Sequence, residues 1–480
     1  MPTGRAVTLL IAAAIVVGLA ARLATWTGMI ASDDLTHAWA ALHVWDDPIE
    51  HAMPDGPGSP YTVNARRVGV NLPLAAAVAV AGPTEAALGA VPLVASLLGI
   101  LACAAWAGAL AGRRAAVVAA WLAAVLPIDV WQATIWLQDS LYAAGLAAAM
   151  AAGAWAVRTG QPRWWLITGL CLGYLQYVKE SAAILVVVFA VAGLVRSIRA
   201  RRLDRGTLWL LLGVAAVQIA ATLYWWKAMG DPTYYVRAWL GRQADLEAVP
   251  AMKPFPHNLV RLGLYVGYHL ALGVGGLVAG AFAVRWLRRG AAPARIRHDA
   301  LLVGAVQFVL LIHVLRWGAS TQRYLLQLTP FVIALGAAGL AEAWPARSPR
   351  WRTVALAAVI ATTALGLVVG RPQHGRFRAD VARRLYAALP TLAPADTPVY
   401  VVITDHPGHY TDRALALLDG YRHDRFHVVT DPHTVTRGLV VYSNTERHPA
   451  RPVSPPGRKV FATATPGDFR WLEVYAVGLP

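Results

Sequence analysis

The sequence predicts an all-α polytopic membrane protein of about eleven transmembrane helices with a small C-terminal α/β domain. Three observations predict it. Of the 480 residues, 57% are hydrophobic and only 14% charged, too apolar a balance for an ordinary soluble protein. The net charge of +17 comes largely from arginines clustered between long uncharged runs, a pattern that sets membrane topology and does not describe a nucleic-acid-binding face. After Gly370 the Ala/Leu/Val runs give way to Asp, His, Pro and Arg, which marks a water-facing part.

Apolar stretches able to span a bilayer lie near residues 6–30, 88–111, 115–129, 139–157, 163–178 and 181–195. Others lie near 207–228, 259–285, 299–318, 324–344 and 352–370. The first is too long for a signal peptide and lacks a cleavage site before Asp33, so it reads as a retained helix. Positive-inside bias puts Arg113/Arg114, Arg196–Arg205, Arg285–Arg297 and Arg347–Arg352 in the cytoplasm. The N-terminus is then cytoplasmic, while 31–87, 229–258 and everything after about 371 face the outside of the plasma (inner) membrane. Parity requires Val68–Ala81, broken by Pro73, to lie in the interface. The chain divides into a transmembrane catalytic domain, 1–370, whose outer loop is 31–87, and a soluble extracytoplasmic domain, 371–480. Short β-rich pieces at Val399–Thr404, Phe426–Thr430 and Leu439–Ser443 make the latter α/β.

The clearest candidate chemistry is Ser32-Asp33-Asp34-Leu35-Thr36-His37-Ala38-Trp39, where the first helix leaves the membrane. Two adjacent carboxylates at an interface cost desolvation unless they are used or paired. An aspartate suits the general base that takes a proton from an attacking hydroxyl. Asp33 or Asp34 equally suits the N-cap of an amphipathic helix through Leu35, Ala38, Ala41, Leu42 and Trp45.

A second set of ionisable groups, Asp139, Lys179 and Glu180, stands at the outer ends of later apolar runs. Charges at that depth face a cavity or a partner. In Ser320-Thr321-Gln322-Arg323-Tyr324-Leu325, Arg323 offers a planar fork for a phosphate, and Lys179 a point charge. Arg66 and Arg67 in the outer loop suit lipid headgroups or a phosphate. Arg22 is expected to snorkel from the first helix to the interface. Half of the 14 histidines lie after Gly370, but Asp405-His406 and His409 meet no zinc spacing and read as surface residues. His37, His43 and His51 near the acidic pair are not assigned a metal. Cys103 and Cys171 both lie in apolar stretches, which excludes a disulfide framework. No Walker or dinucleotide fingerprint is present.

In order and sidedness these residues resemble the GT-C superfamily, particularly protein O-mannosyltransferase-like (glycosyltransferase family 39) and rhizobial core-glycosyltransferase-like membrane enzymes. The resemblance rests on the following residues: Asp33-Asp34 opening the first outer loop; Gly112-Arg113-Arg114-Ala115; Leu126-Pro127 leading to Asp139; Gly173 through Lys179-Glu180-Ser181; and Arg323-Tyr324-Leu325-Leu326 with Pro330. It covers roughly the first 370 residues. It implies a polyprenyl-phosphate-linked monosaccharide as donor and inverting transfer outside the membrane, with no cofactor. The acceptor is a lipid, glycan or protein hydroxyl. Asp33 would match the base and Asp34 its support; Lys179, Arg323 and Arg66 would hold the donor phosphate; His37, Asp139, Glu180 and Tyr324 would line the substrate. The pair here is Asp-Asp where Asp-Glu is commoner, and the later motif is reduced to Leu72-Pro73, so the division of work between the two aspartates stays open. A lipid-linked glycan ligase or polymerase is the alternative within catalysis. A flippase or transporter is the alternative outside it, against which the absence of internal repeats counts.

Overall fold

The computed structural model describes residues 4–30, 33–46, 48, 62–240, 273–289, 293–316, 322–343, 348, 350, single positions between 354 and 367, 376–402, 411–421, 424–443, 456–463 and 472–479. The helices of the first part are α1 (Gly4–Ala24), α2 (Asp33–Leu42), α3 (Thr62–Ala65), α4 (Val68–Ala81), α5 (Glu85–Ala111), α6 (Arg113–Val125) and α7 (Pro127–Gln132). There follow α8 (Gln138–Thr159), α9 (Pro162–Val178), α10 (Ala183–Ala200), α11 (Arg205–Met229), α12 (Gly273–Arg289), α13 (Ala294–Arg316) and α14 (Thr329–Ala343). Then come α15 (Arg376–Leu392), β1 (Val399–Val402), α16 (Thr411–Leu418), β2 (Phe426–Val429), β3 (Gly438–Ser443), β4 (Arg458–Thr463) and β5 (Leu472–Val477).

The chain forms two compact units. One comprises Met1–Trp26, Arg66–Val70 and Pro92–Arg371; the other comprises Thr27–Ala65, Asn71–Val91 and Pro372–Pro480.

In the first unit α1 packs on α6, α6 on α14, α14 on α12, and α9 on both α8 and α11. Five described helices are long and apolar enough to cross a bilayer: α1, α5, α8, Glu180–Ala200 and α11. The stretches expected near 115–129, 163–178 and 324–344 give helices of 13, 17 and 15 residues, the second over its full expected length. Pro127 explains the first, because the residue before a proline is driven out of the helical region; Leu126 is extended, at φ −64° and ψ 117°. The third starts as a 3-10 turn, Gln322–Gln327, and becomes α only at Thr329. Helix α4, with Pro73 inside its 14 residues, is about 21 Å long and shorter than the ~30 Å hydrocarbon core. The crossing expected near 352–370 and the start of that near 259–285 lie outside the described residues, apart from single positions.

Arg22 departs from the expected snorkelling. It is fully buried, ion-paired to Asp129, and donates to Ser96 Oγ at 2.8 Å and to the Gly18, Ala124 and Ala123 carbonyls at 2.9, 2.8 and 3.2 Å. The last two carbonyls belong to the C-terminal turn of α6, where unsatisfied acceptors favour a cation. An internal carboxylate and the unsatisfied carbonyls of a buried helix end thus replace the headgroup as its partner.

In the second unit the C-terminal residues form a five-stranded mixed sheet, order β2-β1-β3-β5-β4. Strands β1, β2 and β3 run parallel, joined from β1 to β2 through α16, while β5 pairs antiparallel with β3 and β4. Val402, Val435, Val440, Tyr442 and Tyr475 pack as its core. The α/β character expected after Gly370 is present, with α15 and α16 packed together.

Candidate active site

The acidic pair opens α2 in the second unit. Both carboxylates occupy its first turn, at the positive end of the helix dipole. Asp34 is fully buried, and its Oδ2 accepts the Ile30 N–H at 2.8 Å. That bond reaches back to residues before the helix, whereas a capping side chain accepts from amides after it. Asp33 is only half-buried, which leaves it the more accessible of the two.

His37 follows one turn later, buried, with Nδ1 2.8 Å from Asn71 Oδ1. The Asn71 amide nitrogen donates to the Asn64 and Ala65 carbonyls at 3.2 and 2.8 Å. Those two bonds orient the amide so that its oxygen meets the ring, which assigns the proton to Nδ1. In the neutral ring the lone pair then belongs to Nε2, the basic nitrogen.

A separate cluster lies in the first unit. Lys179, which ends α9, and Arg323, in the 3-10 turn before α14, both reach Asp139 at the start of α8. Lys179 Nζ is 3.5 Å from Oδ1 and Arg323 Nε 3.7 Å from Oδ2. Lys179 and Asp139 are 7% and 4% exposed, so this is a nearly dry site, and Asp139 Oδ2 has no hydrogen bond. Lys179 also sits 4.7 Å from the Tyr324 ring centre and 5.5 Å from that of Tyr142, contacts favourable to a desolvated cation. Gln307 Nε2 donates to the Tyr142 hydroxyl at 3.0 Å.

Arg67 pairs with Glu180 at 3.2 Å. Burial opposes its charge, but Glu180, with Tyr324 and Asp139 nearby, outweighs this and raises the guanidinium above its ordinary range. Arg66 donates to the Ala238 carbonyl at 2.7 Å, and its Nε is buried without a hydrogen bond. The sequence-predicted Lys179, Arg323, Asp139, Glu180, Tyr324 and Arg66 therefore belong to the first unit, and Asp33, Asp34 and His37 to the second. Ser320, Thr321, His51, Asp405, His406 and His409 lie outside the described residues.

Residues 69–226 match the family model of dolichyl-phosphate-mannose-protein mannosyltransferase. The chain is similar to the solved structure of the Archaeoglobus fulgidus oligosaccharyltransferase in the apo form, at 12% identity and TM-score 0.54 over 90% of this chain and 65% of that one. It thus spans just under two thirds of that enzyme. The archaeal enzyme AglB in complex with an inhibitory peptide and a dolichol-phosphate gives 12% identity and TM-score 0.54, over 91% of this chain and 69% of that one. ArnT from Cupriavidus metallidurans, bound to undecaprenyl phosphate, gives 15% identity and TM-score 0.57 over 98% of this chain and 97% of that one. The fold is the one these solved structures share. No curated protein matches the chain by sequence.

Three further residues of these clusters, Asn71, Tyr142 and Gln307, were not singled out by the sequence. Asn71 and Gln307 are nearly or fully buried, and each is a lone amide in an apolar run. That isolation is the signal that marks them, because a buried amide persists only where its hydrogen bonds are met.

Proposed function

We propose that this protein is an inverting glycosyltransferase of the plasma (inner) membrane, moving a monosaccharide from a polyprenyl-phosphate carrier to an acceptor hydroxyl on the extracytoplasmic face. One observation carries the reading: Lys179 and Arg323 converge on the single buried carboxylate of Asp139. Two cations against one anion in a nearly dry site leave a net positive charge that favours a phosphate. The likeness to ArnT bound to undecaprenyl phosphate and to AglB with dolichol-phosphate supports a lipid-borne donor.

In the proposed reaction Asp33 takes the acceptor's proton as its oxygen attacks the anomeric carbon. The bond from that carbon to the phosphate oxygen breaks on the opposite face, and the phosphate departs as an anion stabilised by Lys179 and Arg323. Arg66 extends this positive ground. Asp34, buried and bonded to Ile30 N–H, orients the pair, while His37, Asp139, Glu180 and Tyr324 shape the substrate sites. The catalytic part is residues 1–370 and the soluble part 371–480, with the N-terminus cytoplasmic. The scheme assigns no cofactor, and the acceptor is a lipid, glycan or protein. Transfer of an oligosaccharide is the second reading, favoured by the likeness to an oligosaccharyltransferase; the undecaprenyl phosphate bound to ArnT, a monophosphate carrier, supports the first.

The test is donor dependence in Lys179→Met and Arg323→Met. Losing one charge-assisted contact of about 1.5–3 kcal/mol raises the KM for polyprenyl-phosphate-sugar roughly ten- to a hundredfold. An unchanged KM in both variants removes the phosphate site from the proposal.

A further inference from the structure

Elements from the C-terminal part of the second unit hold both flanks of the acidic pair. On the upstream side, Arg383 of α15 donates Nη2 to the Met29 carbonyl at 3.2 Å and is ion-paired with Glu85. Glu85 Oε1 in turn accepts the Met29 N–H at 2.9 Å. Both backbone polar groups of Met29 are therefore tied, and the next residue, Ile30, gives its own N–H to Asp34. Each link in this short relay is a hydrogen bond to or beside a charge, and such bonds are short-ranged and directional.

On the downstream side the buried Trp39 of α2 meets Arg413, in the first turn of α16, and Tyr421, just past its C-terminal end. Arg413 stands 5.4 Å from its ring centre, and the Tyr421 ring lies 4.5 Å away at 39°. Helix α16 closes through Gly420 at φ 66° and Tyr421 at φ 76°, with the Tyr421 N–H donating to the Ala416 carbonyl at 2.7 Å. A second glycine would close this turn with less strain, since left-handed backbone is unfavourable for a bulky residue. The tyrosine supplies what glycine lacks, an aromatic ring against Trp39.

We infer that Arg383, Arg413 and Tyr421 are positioning residues: they fix the segment from Met29 to Trp39 and so set where Asp33 and Asp34 point. The C-terminal part then belongs to the working site through these three residues, none of which is a reacting group. This inference rests on the proposed chemistry of the acidic pair. A base displaced by about an ångström loses on the order of a hundredfold in rate, so a device that pins both ends of a ten-residue helix acts on kcat and not on donor affinity.

The experiment compares Arg413→Ala and Trp39→Ala with Arg413→Lys and Trp39→Phe in the full-length protein. It reads hydrogen exchange of residues 29–42 and of strands β3 and β5, and the kcat and KM for transfer from polyprenyl-phosphate-sugar. The alanine variants are expected to speed exchange in 29–42 alone and to lower kcat roughly ten- to a hundredfold with donor KM unchanged; the conservative variants retain most of both. Unchanged exchange and kcat in the alanine variants overturn the inference, as does faster exchange throughout β3 and β5, which would mean simple unfolding of the sheet. If the wild type transfers no sugar, localised faster exchange in 29–42 still supports the positioning contacts, and the failure falls on the proposed reaction alone.

Discussion

At Arg22 the chain buries a guanidinium completely and satisfies it with Asp129, Ser96 and three carbonyls. Arg22→Met leaves Asp129 facing a nearly dry interior and is expected to destabilise by about 3–5 kcal/mol, whereas pairing it with Asp129→Leu recovers much of the loss. Thermal unfolding in detergent distinguishes the two. The sequence made Arg22 visible as a charge out of place, but not its partner, which lies over a hundred residues away. The same holds for Asp139, Lys179 and Arg323: apolar surroundings marked the first two as costly and a fork suited to phosphate marked the third, while their convergence depends on how α8, α9 and the turn before α14 pack. Of two adjacent arginines, Arg66 was preferred for a phosphate, yet Arg67 holds Glu180. Nothing in a dipeptide of equal charges separates them. At the acidic pair, Asp33→Asn is expected to lower kcat by about 10²–10⁴, the range for a lost general base.

Helix pairing follows small residues that the sequence shows but does not match up. A Cβ on Gly169 would stand 1.9 Å from the Leu210 carbonyl oxygen, and one on Gly213 2.4 Å from that of Leu166, so α9 and α11 meet backbone to backbone. Gly169→Ala is expected to cost about 1–3 kcal/mol by forcing them apart. Gly280→Ala, with nothing within 4 Å, serves as the neutral control in the same unfolding assay. At the start of α11, Asp204 accepts the Gly206 N–H at 3.2 Å as N-cap and pairs with Arg196 at 2.9 Å and Arg295 at 3.4 Å. Burial raises its pKa, but the hydrogen bond from Arg196 and the charge of Arg295 outweigh this and hold it below its ordinary 3.8. Its stabilisation is therefore complete above pH 3.8 and lost as pH falls through the lower folded value. Asp204→Asn should thus lower the Tm at neutral pH, with the gap to wild type closing in acid. Element ends were the least legible feature: hydropathy extended the 115–129 run past Leu126, where Pro127 stops the helix.

For the whole molecule the fold class was legible because hydropathy and arginine clustering act over many residues and tolerate local error. Packing of the Thr27–Ala65 segment with the C-terminal residues in one unit was not, since it depends on single contacts such as Trp39 with Arg413. Contact between them requires both to face one side of the membrane. With the proposed orientation, a cysteine replacing exposed Arg384 is labelled by an impermeant maleimide in intact cells. One replacing exposed Arg205 is labelled only after permeabilisation. The reverse pattern inverts the topology. In the proposed reaction the acidic pair performs sugar transfer from a lipid phosphate. Its most direct test is transfer of labelled sugar from polyprenyl-phosphate donors by membranes containing equal amounts of wild type, Asp33→Asn or Asp34→Asn protein. Transfer by wild type and its near-complete loss in Asp33→Asn are expected; undiminished transfer by both variants would overturn the assignment.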